Sequence, residues 1–299
     1  MDLRARLARL RIKPWSLGDG WEALHPPKQP VNDWGLSLPT ELHCLMFDRA
    51  FPRLARNRWK STKKCYVTYF RRISSEDLAS VRAFIDALRP CVVIQDLTSG
   101  SVVLGYRAAT GPSGDLEITE VGQLMRAAKP YSDAPTKKHR RAATALAHRL
   151  CDFAEAMPLY RQVDGFVAVP CAGSKKFSLP RGFAYALARR TGKANLSEAV
   201  TKSKVTPELK NLSLARKLDA ILGSVTVDKA KVAGKSLVVV DDLYQSGLTI
   251  NYLAEELRRA GAKEVFGLAA VKTLSNDDNL PKAASIPKTS GDSDEEIEF

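Results

Sequence analysis

In the C-terminal half of the chain, apolar residues come in short unbroken runs. Leu237-Val238-Val239-Val240 has no polar alternation, and Glu264 to Val271 is almost as uniform. A strand patterned this way is covered on both faces, as in a parallel sheet. Val163 to Val169, around Gly165, reads as a short, mostly apolar strand. Two helices fit between and after them, Gly182 to Arg190 closed by Gly192 and Ile250 to Ala260 closed by Gly261. Each glycine stands where a helix end favours a left-handed residue. Strand, helix, strand in this rhythm predicts a parallel α/β sheet.

The N-terminal half is patterned differently. Ser75 to Leu88 carries apolar residues at 78, 81, 84, 85 and 88, one stripe of a helix that Ser74 or Ser75 can cap and Pro90 ends. Lys137 to Ala156 is a longer helix, with Ala142, Ala145, Leu146, Leu150 and Phe153 on its apolar side. Cys65 to Phe70 reads as a strand, and Cys91 to Asp96 with Val102 to Tyr106 reads as a hairpin around Thr98-Ser99-Gly100-Ser101. A loop is expected over Thr110 to Asp115 and a short helix within Glu117 to Lys129. Residues 1 to 40 interleave five prolines with Trp15, Trp21 and Trp34, and read as an extended arm that wraps the body. The division expected is an arm and α+β cap over 1–130, a second domain over 131–275, and an acidic, disordered tail over 276–299.

Composition narrows the class. An apolar content of 44% is that of a globular protein. No stretch reaches the roughly 18 apolar residues of a membrane span, and the start has no signal-peptide core, so a cytoplasmic protein without a membrane partner is expected. The five cysteines lie in no C-x-x-C pair and read as thiols of a reducing compartment. The four histidines form no metal-binding pattern. The net charge of +13 favours anionic partners, which leaves nucleic acid open beside phosphorylated small molecules. Its densest early cluster runs from Arg49 to Lys64.

The chemistry concentrates after Val240. The apolar strand delivers Asp241 and Asp242 at its carboxyl end, where open parallel sheets place ligands. Leu243-Tyr244-Gln245-Ser246-Gly247-Leu248-Thr249 then leads into a helix, whose first turn has free N–H groups. Hydroxyls, a glycine and a helix N-terminus together make a phosphate cradle. The two acids suit sugar hydroxyls or a divalent cation held through oxygen.

This run resembles the signature of the type I phosphoribosyltransferases, in which an apolar strand, two acids and a Thr-Gly-x-Thr loop follow one another. Here Ser246-Gly247-Leu248-Thr249 stands in that loop. Asp164 to Pro170, Arg181-Gly182-Phe183-Ala184 and Leu212 to Lys217 further resemble the competence-associated, ComF-like branch, without its cysteine-rich zinc segment and with Ala184 in place of an asparagine. The resemblance covers about residues 135 to 273. It implies a type I phosphoribosyltransferase-like α/β fold, with a central mostly parallel sheet flanked by helices and an N-terminal α+β cap added. It also implies phosphoribosyl pyrophosphate as substrate with Mg2+, held by Asp241 and Asp242, and transfer to an acceptor the sequence leaves unnamed. By position, Cys171-Ala172-Gly173-Ser174-Lys175 matches the family's pyrophosphate loop. Lys202, Lys204 and Arg216 fall where a mobile loop would close over the leaving group. Family members often dimerise, so a homodimer is allowed. The other function this fold allows is a sensor that binds phosphoribosyl pyrophosphate or a nucleotide without turnover, in association with nucleic acid.

Overall fold

The computed structural model describes residues 2–18, 20–27, 33–110, 113–130, 135–171, 177–204, 206 and 212–274. The expected disordered tail lies outside them, apart from its approach at residue 274. The chain opens with α1 (Leu3–Ala8), followed by β1 (Lys13–Ser16), β2 (Leu24–His25) and β3 (Trp34–Leu38). α2 (Glu41–Ala50) precedes a hairpin of β4 (Lys60–Ser61) and β5 (Tyr66–Phe70), and then α3 (Ser75–Leu88). A second hairpin, β6 (Val92–Gln95) and β7 (Ser101–Val103), is followed by a third, β8 (Ala108–Thr110) and β9 (Leu116–Ile118). Helices α4 (Glu120–Ala128), α5 (Lys137–Ala156) and α6 (Pro158–Arg161) lead to β10 (Gly165–Ala168), α7 (Leu179–Thr191), β11 (Ala194–Asn195) and β12 (Val200–Lys202). The chain then runs through α8 (Leu214–Ile221), β13 (Val225–Val227), α9 (Lys229–Val232), β14 (Ser236–Tyr244), α10 (Leu248–Arg259) and β15 (Glu264–Lys272).

Seven strands form the central sheet in the order β1-β6-β7-β15-β14-β10-β11. From β7 to β11 all pairs are parallel, and β6 and β1 add an antiparallel edge. The uniform apolar runs have the cause their pattern implied. Val238 and Val240 face one layer, with Leu146 and Leu150 of α5 and Phe183 and Leu187 of α7. Leu237 and Val239 face the other, with Ile250, Leu253 and Leu257 of α10. Each fully buried valine or leucine contributes about 1.5–3 kcal/mol relative to exposure. The result is a mostly parallel sheet flanked by helices, the α/β fold expected.

Three strands of this sheet come from the first 130 residues. The rest of that region builds a separate four-stranded antiparallel sheet, β2-β3-β5-β4, packed on α2 and α3 through Leu36, Leu38, Phe70, Phe47 and Phe84.

The expected N-terminal arm is corrected. Leu3 and Leu7, four apart, form the buried side of α1 and pack with Leu218 and Ile221 of α8 and Leu248 and Tyr252 of α10. β1 then adds to the sheet beside β6. It tolerates Pro14 because it is an edge strand, where a missing N–H can face solvent. A second correction concerns β14, which does not stop at Val240. It continues through the two aspartates to Tyr244 because β15 pairs with it that far, Leu243 opposite Val271 and Tyr244 opposite Lys272.

Candidate functional site

The carboxyl ends of the parallel strands open onto a cleft of about 610 Å³. Asp241 and Asp242 line it, and so does the whole run Leu243 to Thr249. Cys171, just after β10, and Lys202, at the end of β12, face the same cleft. Lys202 Nζ donates to Thr206 Oγ1 at 2.8 Å, and burial pulls its pKa down against the opposing influence of nearby Cys171. The N-terminal region supplies Arg107, Lys129 and Pro130 to the wall.

The turn between β14 and α10 brings a glycine and a helix N-terminus to the cleft. Gly247 is the N-cap of α10 with φ 69° and offers no capping side chain; the Ser246 hydroxyl accepts from the Leu248 N–H at 3.4 Å. Beyond Leu248, the N–H groups of a first helical turn have no partner within the helix, and an anion can meet them there. Only glycine fits at 247, because a Cβ there would stand 2.2 Å from the Tyr244 hydroxyl.

That hydroxyl belongs to a network behind the turn. Tyr244 is buried and donates to Asp96 Oδ2 at 2.7 Å. Asp96, just after β6, also accepts from Ser101 Oγ at 2.8 Å, and from Thr98 through its N–H at 2.8 Å and its hydroxyl at 2.6 Å. Asn251 of α10 donates to Asp96 Oδ2 at 3.3 Å and to the Gly247 carbonyl at 2.7 Å, and its Oδ1 accepts from Leu97 N at 2.8 Å. One carboxylate from the N-terminal half thus ties the turn to the first turns of α10. Burial, then the Asp96 charge, holds the Tyr244 phenol well above its usual range, so it stays a donor.

The two acids differ in environment. Burial raises Asp241 well above the usual carboxylate range, and the neighbouring Asp242 charge adds to the shift. Asp241 Oδ1 accepts from the Asp242 N–H at 2.8 Å. Asp242 Oδ2 lies 3.0 Å from Lys129 Nζ, which reaches in from the end of α4.

Some of the expected site residues lie elsewhere. Lys204 Nζ turns to the Asp219 carbonyl at 3.2 Å, and Arg216 is exposed on the first turn of α8; neither is among the cleft residues. Lys217, one position on, is buried on the side of α8 that carries Leu218 and Ile221, and it lines the cleft. Ala172, Gly173, Ser174 and Lys175 lie outside the described residues. Asp96, Asn251, Lys129 and Arg107 were not singled out from the sequence. Asp96 had a local signal, an acid followed by Thr98, Ser99 and Ser101, but nothing linear joins it to Tyr244.

Among the described residues, no cluster of three or more His, Cys, Asp or Glu could hold a metal ion unaided. The Asp241–Asp242 pair offers carboxylate oxygens only. Such a pair suits a hard cation that brings ligands with it, as Mg2+ does on a polyphosphate. Among the described residues no helix is long and apolar enough to cross a membrane. The described cysteines are all free, and burial pushes Cys44 and Cys91 up to about 12.

The pattern of the phosphoribosyl transferase domain family matches residues 174–284, which contain β14, the turn and α10. No curated protein matches the sequence. Among solved structures, one similar chain is described as the allosteric regulatory enzyme of purine biosynthesis. It is 16% identical with a TM-score of 0.34, over 79% of this chain and 44% of that one. Another is the glutamine phosphoribosylpyrophosphate amidotransferase from B. subtilis complexed with ADP and GMP, 14% identical with a TM-score of 0.34, over 79% of this chain and 46% of that one. The chain spans less than half the length of either. What the family match and the architecture establish together is that this chain contains a type I phosphoribosyltransferase-like domain.

Proposed function

We propose that the cleft binds phosphoribosyl pyrophosphate and transfers its phosphoribosyl group to an acceptor, as a member of the ComF-like branch. The observation that supports this reading is the glycine N-cap of α10 at Gly247, in one cleft with the two acids in the last part of β14. The helix end and the hydroxyls of Ser246 and Thr249 would hold the 5′-phosphate. Asp241 and Asp242 would take the ribose hydroxyls. They would also hold Mg2+, which when bound offsets the charge of the pyrophosphate. In the reaction the bond from ribose C1 to the pyrophosphate oxygen breaks and the electron pair leaves with pyrophosphate. A bond from the acceptor nucleophile to C1 forms in its place. Lys202 and Lys217, which both line the cleft, would stabilise the leaving group. Lys129 would exchange its contact with Asp242 for one with the incoming ligand.

Calorimetric titration with phosphoribosyl pyrophosphate and Mg2+, followed by a pyrophosphate-release assay, tests the reading. Binding that disappears in the Asp241→Ala, Asp242→Ala double variant is expected. Binding unchanged in that variant would remove both acids from the site. Binding without release, across a screen of acceptors, would favour a sensor.

A further inference from the structure

A second, differently built surface lies on the small antiparallel sheet. Between Asp48 and Glu76 the chain has nine Arg or Lys and no acid. Two of the nine are used internally, Arg49 on Glu264 and Arg56 on Asp48. The strand register decides where the others sit. In β5, Thr68 and Phe70 are buried against the core, so Val67 and Tyr69 face outward. Val67 pairs with Lys60 and Tyr69 with Gly35, and Gly35 in turn pairs with His25. Trp59 packs inward, which sends Arg58 and Lys60 out on either side of it. Arg71 continues the alternation past Tyr69, and its Nε donates to Asn57 Oδ1 at 3.0 Å.

Tyr69 lies at the centre of this face. Its ring rests over Gly35, where a Cβ would meet Cε1 at 3.3 Å, and 39% of the residue remains open to solvent. The β4–β5 turn carries exposed Lys63 and Lys64. It is fixed by the Thr62 hydroxyl, which donates to the Cys65 carbonyl at 2.7 Å and accepts from the Cys65 N–H at 3.0 Å. A line of cations therefore flanks an open aromatic ring on a sheet.

We propose that this face binds single-stranded nucleic acid, with one base stacked on Tyr69 and the phosphates running along Lys63, Lys64, Lys60, Arg58 and Arg71. An aromatic platform beside a cationic track fits a single strand, whose bases are free to stack. A duplex keeps its bases from such a platform. Ser37 on this face already donates to the Glu22 carbonyl and contacts His25 Nε2 at 3.0 Å. The cations and the ring address phosphate and base face, which DNA and RNA share, so both kinds of strand bind.

The test is fluorescence anisotropy of labelled oligo(dT) and oligo(U), about 15 nucleotides long, against the full chain between about 50 and 200 mM salt. Both should bind, and more tightly than a blunt duplex of the same length. Tyr69→Ala should weaken binding about tenfold, the loss of one stacked base, while Tyr69→Phe should keep it. The triple change Lys60→Gln, Lys63→Gln, Lys64→Gln should lower the salt slope by about 2. Circular dichroism and phosphoribosyl pyrophosphate titration report whether these variants fold. Asp241→Asn, which disables the cleft, should leave oligonucleotide binding unchanged, so the two assignments fail separately. Absence of oligonucleotide binding at low salt, duplex preferred over single strand, or well-folded variants that bind like the wild type would overturn the proposal.

Discussion

Under the two proposals, the cleft and the small antiparallel sheet would solve the same problem, holding an anion, by opposite means. At the cleft the groups that would meet the ligand are backbone N–H groups and short hydroxyls, on a turn held from behind by Asp96, Tyr244 and Asn251. At the sheet they are long, flexible cations on an open face, with one ring fixed by Gly35. The first arrangement would read the shape of a phosphate ester. The second reads charge density and is weakened by salt. Substitutions in the two regions should therefore fail in different assays.

The largest effect is expected at Gly247. Gly247→Ala places a Cβ 2.2 Å from the Tyr244 hydroxyl and puts a side chain at a φ of 69°. The turn must open or the tyrosine must leave Asp96. Phosphoribosyl pyrophosphate binding should fall more than about 100-fold, the scale of losing a preorganised set of donors, while the salt dependence of oligonucleotide binding stays as it was. Calorimetry beside anisotropy reads both. A Gly247→Ala protein that binds the sugar phosphate normally would show that the turn is not the phosphate site.

Next comes the network behind the turn. Tyr244→Phe removes one donor to Asp96 and leaves the ring, so binding should weaken about tenfold, near the worth of one hydrogen bond to a charged group. Asp96→Ala goes further, because it strands the donors of Thr98, Ser101, Tyr244 and Asn251 together. It should lower the urea midpoint as well as the affinity, by about 3 kcal/mol or more in stability. If Asp96→Ala changes neither, the carboxylate is a bystander to the turn.

These residues also mark how far the sequence could be read. The burial of β14 and β15 was legible because near-continuous apolar runs of strand length point to strands covered on both faces. The acids and the Gly247 turn were legible because they are contiguous. Asp96 was not, since its partners lie about 150 positions away and only the β6–β7–β15–β14 order brings them together. Lys217 shared a basic cluster with Lys204 and Arg216, and charge alone could not rank them. The phase of α8, set by Ser213 as its cap, puts Lys217 inward. α1 was hidden by the prolines that follow it, although Leu3 and Leu7 already had helical spacing. The outward face of β5 needed the register with β3 before Tyr69 could be separated from Phe70.

A smaller effect separates function from stability at the acids. Asp241 is held well above the ordinary carboxylate range, so the folded chain keeps its proton where the unfolded chain has lost it. Stability attributable to this group therefore falls as pH rises from the ordinary carboxylate value through the folded one, and the full cost remains above that. Asp241→Asn keeps an oxygen for the Asp242 N–H and removes the acid whose ionisation burial opposes. It should raise Tm at pH 7, lose the gain near pH 3.5, and abolish sugar phosphate binding at both. A lower Tm at pH 7 would mean that the charge is stabilised by contacts stronger than the burial that opposes it.

The smallest expected effect lies one strand over, at Lys272. Its side chain is 1% exposed, and Nζ donates to the Thr273 carbonyl at 2.9 Å and sits 5.8 Å from the centre of the Tyr244 ring. Burial lowers its pKa from 10.5 to about 8. Between those values the unfolded chain binds more protons than the folded one, so the contribution of Lys272 to stability rises with pH across that window. At pH 7 the ammonium is charged in both states and its burial is a cost. The hydrogen bond and the ring contact recover part of it. Lys272→Met keeps the length of the stem and removes the charge. It should gain about 1–2 kcal/mol at pH 7 and little by pH 10.5, measured by urea unfolding at the two values. Because Lys272 touches the ring of Tyr244 and not its hydroxyl, affinity for the sugar phosphate should change less than about threefold, within the loss of one cation–π contact. A larger loss would mean that the ammonium, and not only Asp96, sets the position of Tyr244 under the turn.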